Sequence, residues 1–191
     1  MANINSPSGF KVVKHATGGL PNRRSRYHIA SAYGTNIATN DAVVPTGSGK
    51  LIQRPAAATD RLIGIFDGCY YLDPNQSQPQ YNRIWPASQT LVSGTVADAW
   101  VYDDPRIIFE AQMSGAFTLA GIGSLADIIL GTANTTIKLS ADAIDSATLD
   151  ASGVVVKVLD IVNRPDNVMG SFARVWVQIS KHYLANALTG I

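Results

Sequence analysis

The sequence predicts a mainly β protein: a single antiparallel β-barrel or sandwich with an extended N-terminal arm and loop excursions. Three observations carry that prediction. Short apolar, β-branched segments recur along the chain, separated by Gly, Pro, Asn and Asp turns. The clearest of them alternates, with Ala173, Val175, Val177 and Ile179 on one face and Phe172, Arg174, Trp176 and Gln178 on the other. No sustained helical period separates the apolar segments, which excludes alternating β–α units and a parallel sheet.

The charge pattern divides the chain. Residues 1–30 contain Lys11, Lys14, Arg23, Arg24 and Arg26 and no acid, a charge of +5. The remaining ten basic and fourteen acidic groups give 31–191 a charge of −4. This asymmetry, with the polar start Asn5-Ser6-Pro7-Ser8-Gly9, reads as an arm over 1–30 and a β-body over 31–191. Within the body, Ala42-Val43-Val44 and Lys50–Gln53 flank the turn Pro45–Gly49 and form a hairpin. Leu62–Leu72 is a strand interrupted by Gly64 and Gly68, the mark of bulges or close backbone approach. Thr90-Leu91-Val92 is a weak strand signal. Val96–Tyr102 and Arg106–Gln112 are strands joined by Asp103-Asp104-Pro105, where the proline presets φ for a turn and lacks the N–H a strand interior needs.

Leu119, Ile122, Ala126 and Ile129 lie at helical spacing, yet Gly121 and Gly123 each cost a helix about 1 kcal/mol relative to Ala. That stretch is expected to be a loop or a short helical turn. Ala141–Leu149 is small and acidic and is expected to be a surface excursion. Gly153–Val162 and Phe172–Ser180 are strands, separated by the turn Arg164-Pro165-Asp166-Asn167.

Composition restricts the chemistry. Charged residues make up only 15% of the chain, against about 25% in a typical soluble domain, which suits a surface that lies against neighbours. No apolar run reaches the length of a membrane-spanning helix, and the N-terminus has no apolar signal core. Cys69, the single cysteine, sits in an apolar run and reads as a buried, inert thiol. His15, His28 and His182 have no second ligand at metal-binding spacing, so no metal or other cofactor is expected. Thr46-Gly47-Ser48-Gly49-Lys50 lacks the first glycine and the hydroxyl residue of a phosphate loop, and reads as a turn. Glu110 is the lone glutamate, and no nucleophile elbow exists. No catalytic site is expected.

Several stretches carry a family resemblance: Ser6–Lys11, Arg26-Tyr27-His28-Ile29, Asp103–Glu110, Ile122-Gly123 with Ala126-Asp127, Ile161–Asn167, and the closing strand to His182. Along them the chain resembles the decoration, or cement, proteins of tailed-phage heads. The segments 75–86 and 184–191 have no counterpart in that pattern. The resemblance implies a virion structural protein, assembled in the host cytoplasm onto the outside of the capsid, with the major capsid protein and its own copies as partners. A trimer is expected from the threefold positions of icosahedral lattices. Phe10, Lys11, Lys14, Arg23, Arg24, Arg26 and Tyr27 are the expected docking residues, cations facing acidic capsid and aromatics serving as anchors.

Two alternatives belong to other classes. A nucleic-acid-binding barrel would use the Arg23–Arg26 cluster with Tyr27 and His28, although a body of charge −4 opposes that partner. A carbohydrate-binding sandwich would use Trp85, Trp100 and Trp176 as stacking platforms.

Overall fold

A computed structural model of the protein describes residues 3–47, 49–149 and 153–185. The protein is mainly β, with 44% strand and 2% helix, built from antiparallel sheets of which one is nearly closed like a barrel. The first half contributes β1 (Lys11–His15), β2 (Ser25–Ile29), β3 (Ile37–Ala38), β4 (Ala42–Pro45), β5 (Ile52–Gln53), β6 (Gly64–Asp73), β7 (Gln78–Asn82) and β8 (Ile84–Trp85). The longer strands β9 (Ala97–Tyr102) and β10 (Ile107–Gln112) follow. Short pieces come next: β11 (Ala116–Phe117), a 3-10 turn at Leu119–Gly121, β12 (Leu125–Ala126), β13 (Ile128–Ile129) and β14 (Ala143–Ile144). The chain closes with β15 (Val156–Ile161), β16 (Gly170–Ser171) and β17 (Arg174–Ile179).

Two sheets organise these strands. One has the order β1-β10-β17-β15-β12, and the other the order β2-β9-β6-β4-β5 with β7 paired to β6. A bridge from His28 to Leu51, with the His28 N–H donating to the Lys50 carbonyl at 2.9 Å, brings β2 back toward β5 and nearly closes the second sheet. The alternation expected in 172–180 holds, since Ala173, Val175, Val177 and Ile179 are all buried. Cys69 is likewise buried, and burial pushes its thiol up to about 12. The expected hairpin is present, pairing Val44 with Gln53; Ser48 in its turn lies outside the described residues.

The two sheets share a wall. Ala42, Val44, Leu62 and Ile65 face one core, while Val43, Ile63 and Phe66 face the other. Both faces of these segments are covered, so their sequences run apolar without the alternation of a half-exposed strand. The strands expected around Asp103-Asp104-Pro105 do form, but they do not pair: β9 lies in the nearly closed sheet and β10 in the other. β1 and β2 make the same crossing beside them, β1 against β10 and β2 against β9.

That crossing corrects the reading of 1–30 as an extended arm apart from the body. β1 and β2 are strands of the two sheets, and Phe10 is fully buried, with its ring 6.4 Å from Phe109 and edge-on to it. Gly9 makes the approach possible. Its φ is +71° and a Cβ there would strike Asn40 and Ser140, a demand only glycine meets easily.

A second correction concerns 141–149. Asp142, Ala143 and Ile144 are buried rather than on a surface excursion, because Asp142 holds the wall in place. Arg54, 8% exposed, donates Nη1 to Asp142 Oδ2 at 2.7 Å and Nη2 to Oδ1 at 2.6 Å. It also donates to the carbonyls of Ala42 at 3.2 Å and Gly131 at 3.3 Å. Asp142 in turn accepts the N–H of Ala42 at 3.1 Å and of Gly131 at 2.9 Å. Thr90–Val92, the weak signal, forms no strand.

Removing one partner of a buried, bidentate pair strands the other charge in the interior, which costs about 3–5 kcal/mol. Asp142→Ala is therefore expected to lower the unfolding free energy by about that amount in urea titrations; a loss under about 1 kcal/mol would show the pair to be ornamental. Asp41 adds a pH dependence. Burial and the nearby Asp142 carboxylate raise its pKa to about 7 against the pull of Arg54, 3.2 Å away. Between the unfolded value of 3.8 and about 7 the folded state holds a proton that the unfolded state releases. This group's contribution therefore falls as pH rises through that window. The stability of Asp41→Asn relative to wild type is expected to increase from pH 4 to pH 7, and a flat difference would contradict the assignment.

Candidate functional site

The structure separates the seven residues expected to dock. Phe10 lies in the core shared with β10 and β17. Tyr27, 9% exposed, lies in the other core and donates its hydroxyl to Asp103 Oδ2 at 2.9 Å. Burial, reinforced by that bond, pushes the phenol pKa up. Neither aromatic is free to anchor a neighbour. Lys11 and Lys14 lie on β1, at the edge of the five-stranded sheet, and Arg24 and Arg26 precede or lie on β2 in the other. Arg23 is exposed beside them.

On the five-stranded sheet, the residues opposite the aliphatic stripe form a mixed-charge face. Lys14 Nζ sits 4.0 Å above the Trp176 ring, a cation–π contact that covers the indole. Glu110, paired across the strands with Lys11 and Trp176, receives Arg164 at 3.2 Å and Arg174 at 3.5 Å. The turn at 164–167 is held by Asn167. Its Nδ2 donates to the carbonyls of Val162 at 2.7 Å and Arg174 at 2.9 Å, and its Oδ1 accepts the Arg174 N–H at 2.8 Å.

At one end of this sheet the N-terminal segment lies against the β11–β16 pair. Asn3 donates to the carbonyls of Val168 at 2.7 Å and Ser171 at 2.9 Å, and accepts the Val168 N–H at 3.0 Å. Those bonds tie Asn3 to the segment carrying the exposed Val168 and Met169. Ile4, 80% exposed, follows Asn3 beside Gln112 and Asn167, and Leu119, also exposed, follows the strand paired to Gly170. Four exposed large apolar residues thus lie on segments that adjoin the β11–β16 pair. Val168 and Met169 adjoin in sequence, but Ile4 and Leu119 come near them only through the bonds of Asn3 and the pairing of β11 with β16, so no one stretch of sequence marks the group.

On the other sheet the basic cluster is countered. Arg24 pairs with Asp67, and Arg26 reaches Asp98 at 3.5 Å, which also faces His28 at 3.1 Å. These carboxylates weaken the field a nucleic acid would meet. Of the tryptophans, Trp85 is fully buried with Nε1 donating to the Tyr33 carbonyl at 3.3 Å, Trp176 lies under Lys14, and Trp100 lines a surface pocket. His182 is fully buried and its pKa is lowered, chiefly by burial. Among the described residues no three His, Cys, Asp or Glu side chains converge as metal ligands. Comparisons with protein-family models, with curated proteins and with solved structures return no match.

Because β1 and β2 belong to different sheets, deleting residues 1–30 is expected to unfold the protein rather than release a stable body. Phe10→Ala alone is expected to cost about 3–5 kcal/mol. A truncated chain with a cooperative unfolding transition and native-like circular dichroism would restore the separate arm.

Proposed function

We propose that the protein is a virion structural protein that binds the outer surface of an assembled phage head and stabilises it. The resemblance along Ser6–Lys11, Asp103–Glu110 and Ile161–Asn167 supports this reading. The observation that carries it is the exposure of Ile4, Leu119, Val168 and Met169 on segments that adjoin the β11–β16 pair, hereafter the apolar end. It belongs to a chain whose buried polar groups, Arg54, Asp142, Glu110 and Asn167, are engaged in holding the fold. Exposed apolar residues on adjoining segments of a low-charge protein fit a protein–protein contact.

The major capsid protein is the proposed partner, and copies of this chain are placed around threefold or quasi-threefold axes of the lattice. A protein that binds the assembled shell and not its free subunits stabilises the shell by mass action, and many copies multiply the effect. With Phe10 and Tyr27 committed to the interior, the apolar end takes the anchoring role first expected of the N-terminal aromatics. Lys11, exposed on the edge strand, remains available to acidic capsid surface.

The test is co-sedimentation with purified heads of the parent phage that lack this protein. Wild type is expected to pellet with heads and to raise their disruption temperature. Val168→Asp combined with Met169→Asp, both at exposed positions, is expected to keep the native circular dichroism and bind at least about tenfold more weakly, the equivalent of 1.4 kcal/mol. Equal binding by the variant would remove the apolar end from the interface, and no binding by wild type would remove the decoration role.

A further inference from the structure

On the outer face of the nearly closed sheet, a pocket of about 360 Å³ is lined by Arg24, Asp67, Gly68, Tyr81, Arg83 and Trp100, among others. Its floor and walls follow from strand register. Trp100 stands between Arg26 on one neighbouring strand and Gly68 on the other. Gly68 has no side chain to cover the indole, and the space where its Cβ would sit is 3.1 Å from the Asn82 carbonyl. The register of β6 against β9 shifts between Phe66 and Gly68, a bulge at Asp67. Bulges re-aim side chains, and this one accompanies the pairing of Asp67 with Arg24 at the pocket's rim.

The far wall is aromatic. Tyr81 pairs with Tyr70 across β6 and β7, with ring centroids 4.6 Å apart and an interplanar angle of 49°. Tyr81 is nevertheless 81% exposed, so a large part of its ring remains open to solvent. Arg83, one residue past β7, is exposed, and its side chain has no ion-pair or hydrogen-bond partner among the described residues.

We infer that this pocket binds a pyranose saccharide carrying a carboxylate. A sugar ring offers an apolar C–H face to the aromatic surfaces of Trp100 and Tyr81. Its hydroxyls both donate and accept, which suits a rim holding a carboxylate and a guanidinium fork side by side, Asp67 and Arg24. The unpaired Arg83 supplies the planar, bidentate partner for the sugar's own carboxylate. A volume of this size accommodates one or two rings. Single-stranded nucleic acid would also use aromatics and arginines, but it would carry repeated phosphates past Asp67 and Asp98. The inference stands apart from the decoration role, and either can fail alone.

The experiment is titration of the full-length protein, followed by tryptophan fluorescence and calorimetry. Probes are acidic saccharides (trigalacturonate, a guluronate trimer and sialyllactose), neutral ones (maltotriose and chitotriose), and a ten-residue oligothymidylate. Saturable binding of at least one acidic saccharide is expected, about tenfold or more tighter than any neutral one. Tyr81→Ala and Arg83→Ala, both at exposed positions, are expected to keep native circular dichroism and weaken it at least fivefold. Arg83→Ala should also abolish the preference for acidic over neutral sugars. Saturation by no saccharide at 10 mM, equal affinity for neutral sugars, tighter binding of the oligothymidylate, or unchanged affinity in both variants would each overturn the inference.

Discussion

The double-sided wall formed by β4 and the segment 62–66 is the constraint on which the rest of the molecule depends. Its residues alternate between two cores, so neither sheet can be packed without the other. A wall of this kind has no solvent face, and its edges must be fixed by something other than hydrophobic burial. Arg54 and Asp142 fix them. Their bidentate pair joins the strand after the 46–50 turn to the loop between β13 and β14, and both partners also bond the backbone of Ala42 or Gly131. With its hydrogen bonds satisfied this completely, a buried pair defines one arrangement of three chain segments where apolar contacts alone would admit several.

The same constraint explains the N-terminal region. Phe10 fills the core beside Phe109, and Gly9 donates to the Asp142 carbonyl at 3.2 Å while Phe10 donates to that of Asn40 at 3.0 Å. The first strand is thereby pinned beside the ion pair before the chain crosses to the second sheet. Asp103 completes the crossing, accepting Ser25 Oγ at 2.8 Å as well as the Tyr27 hydroxyl, and Asp104 faces His15 at 3.3 Å. The free edges of the sheets are blunted, with Lys11 and Lys14 on β1 and Pro79 within β7, devices that discourage strand-to-strand aggregation.

Much of this was legible in the residues. Ala173, Val175, Val177 and Ile179 announced a half-buried strand, Gly68 marked a bulge, and Cys69 a buried thiol. The allocation of β9 and β10 to different sheets was not legible, because Asp103-Asp104-Pro105 encodes a turn and not the direction in which the chain leaves it. The N-terminal region misled for a different reason. Its cations occupy outward positions and dominate the charge pattern, while the strand shows only in the alternation of Arg26 and His28 with the buried Tyr27 and Ile29. An acid in a small-residue stretch such as 141–149 signals surface, and nothing local to Asp142 reveals its burial, because its partner Arg54 lies far away in sequence. The pocket at Trp100 was half visible through the tryptophan, but Tyr81 and Arg83 fell in the segment 75–86 that no pattern interpreted.

Function, on this account, follows from where the interior has already been filled. The buried charges hold the wall, the buried aromatics fill the cores, and the groups that face outward include exposed apolar residues beside the β11–β16 pair, an edge lysine and a pocket of aromatics and arginines. Cryo-EM of intact heads tests the central claim most directly. The account predicts density for this fold on the outside of the shell, arranged about threefold or quasi-threefold axes, with Ile4, Val168 and Met169 against the capsid protein or a neighbouring copy. Heads that carry no such density, or carry it on the inner surface, would contradict it.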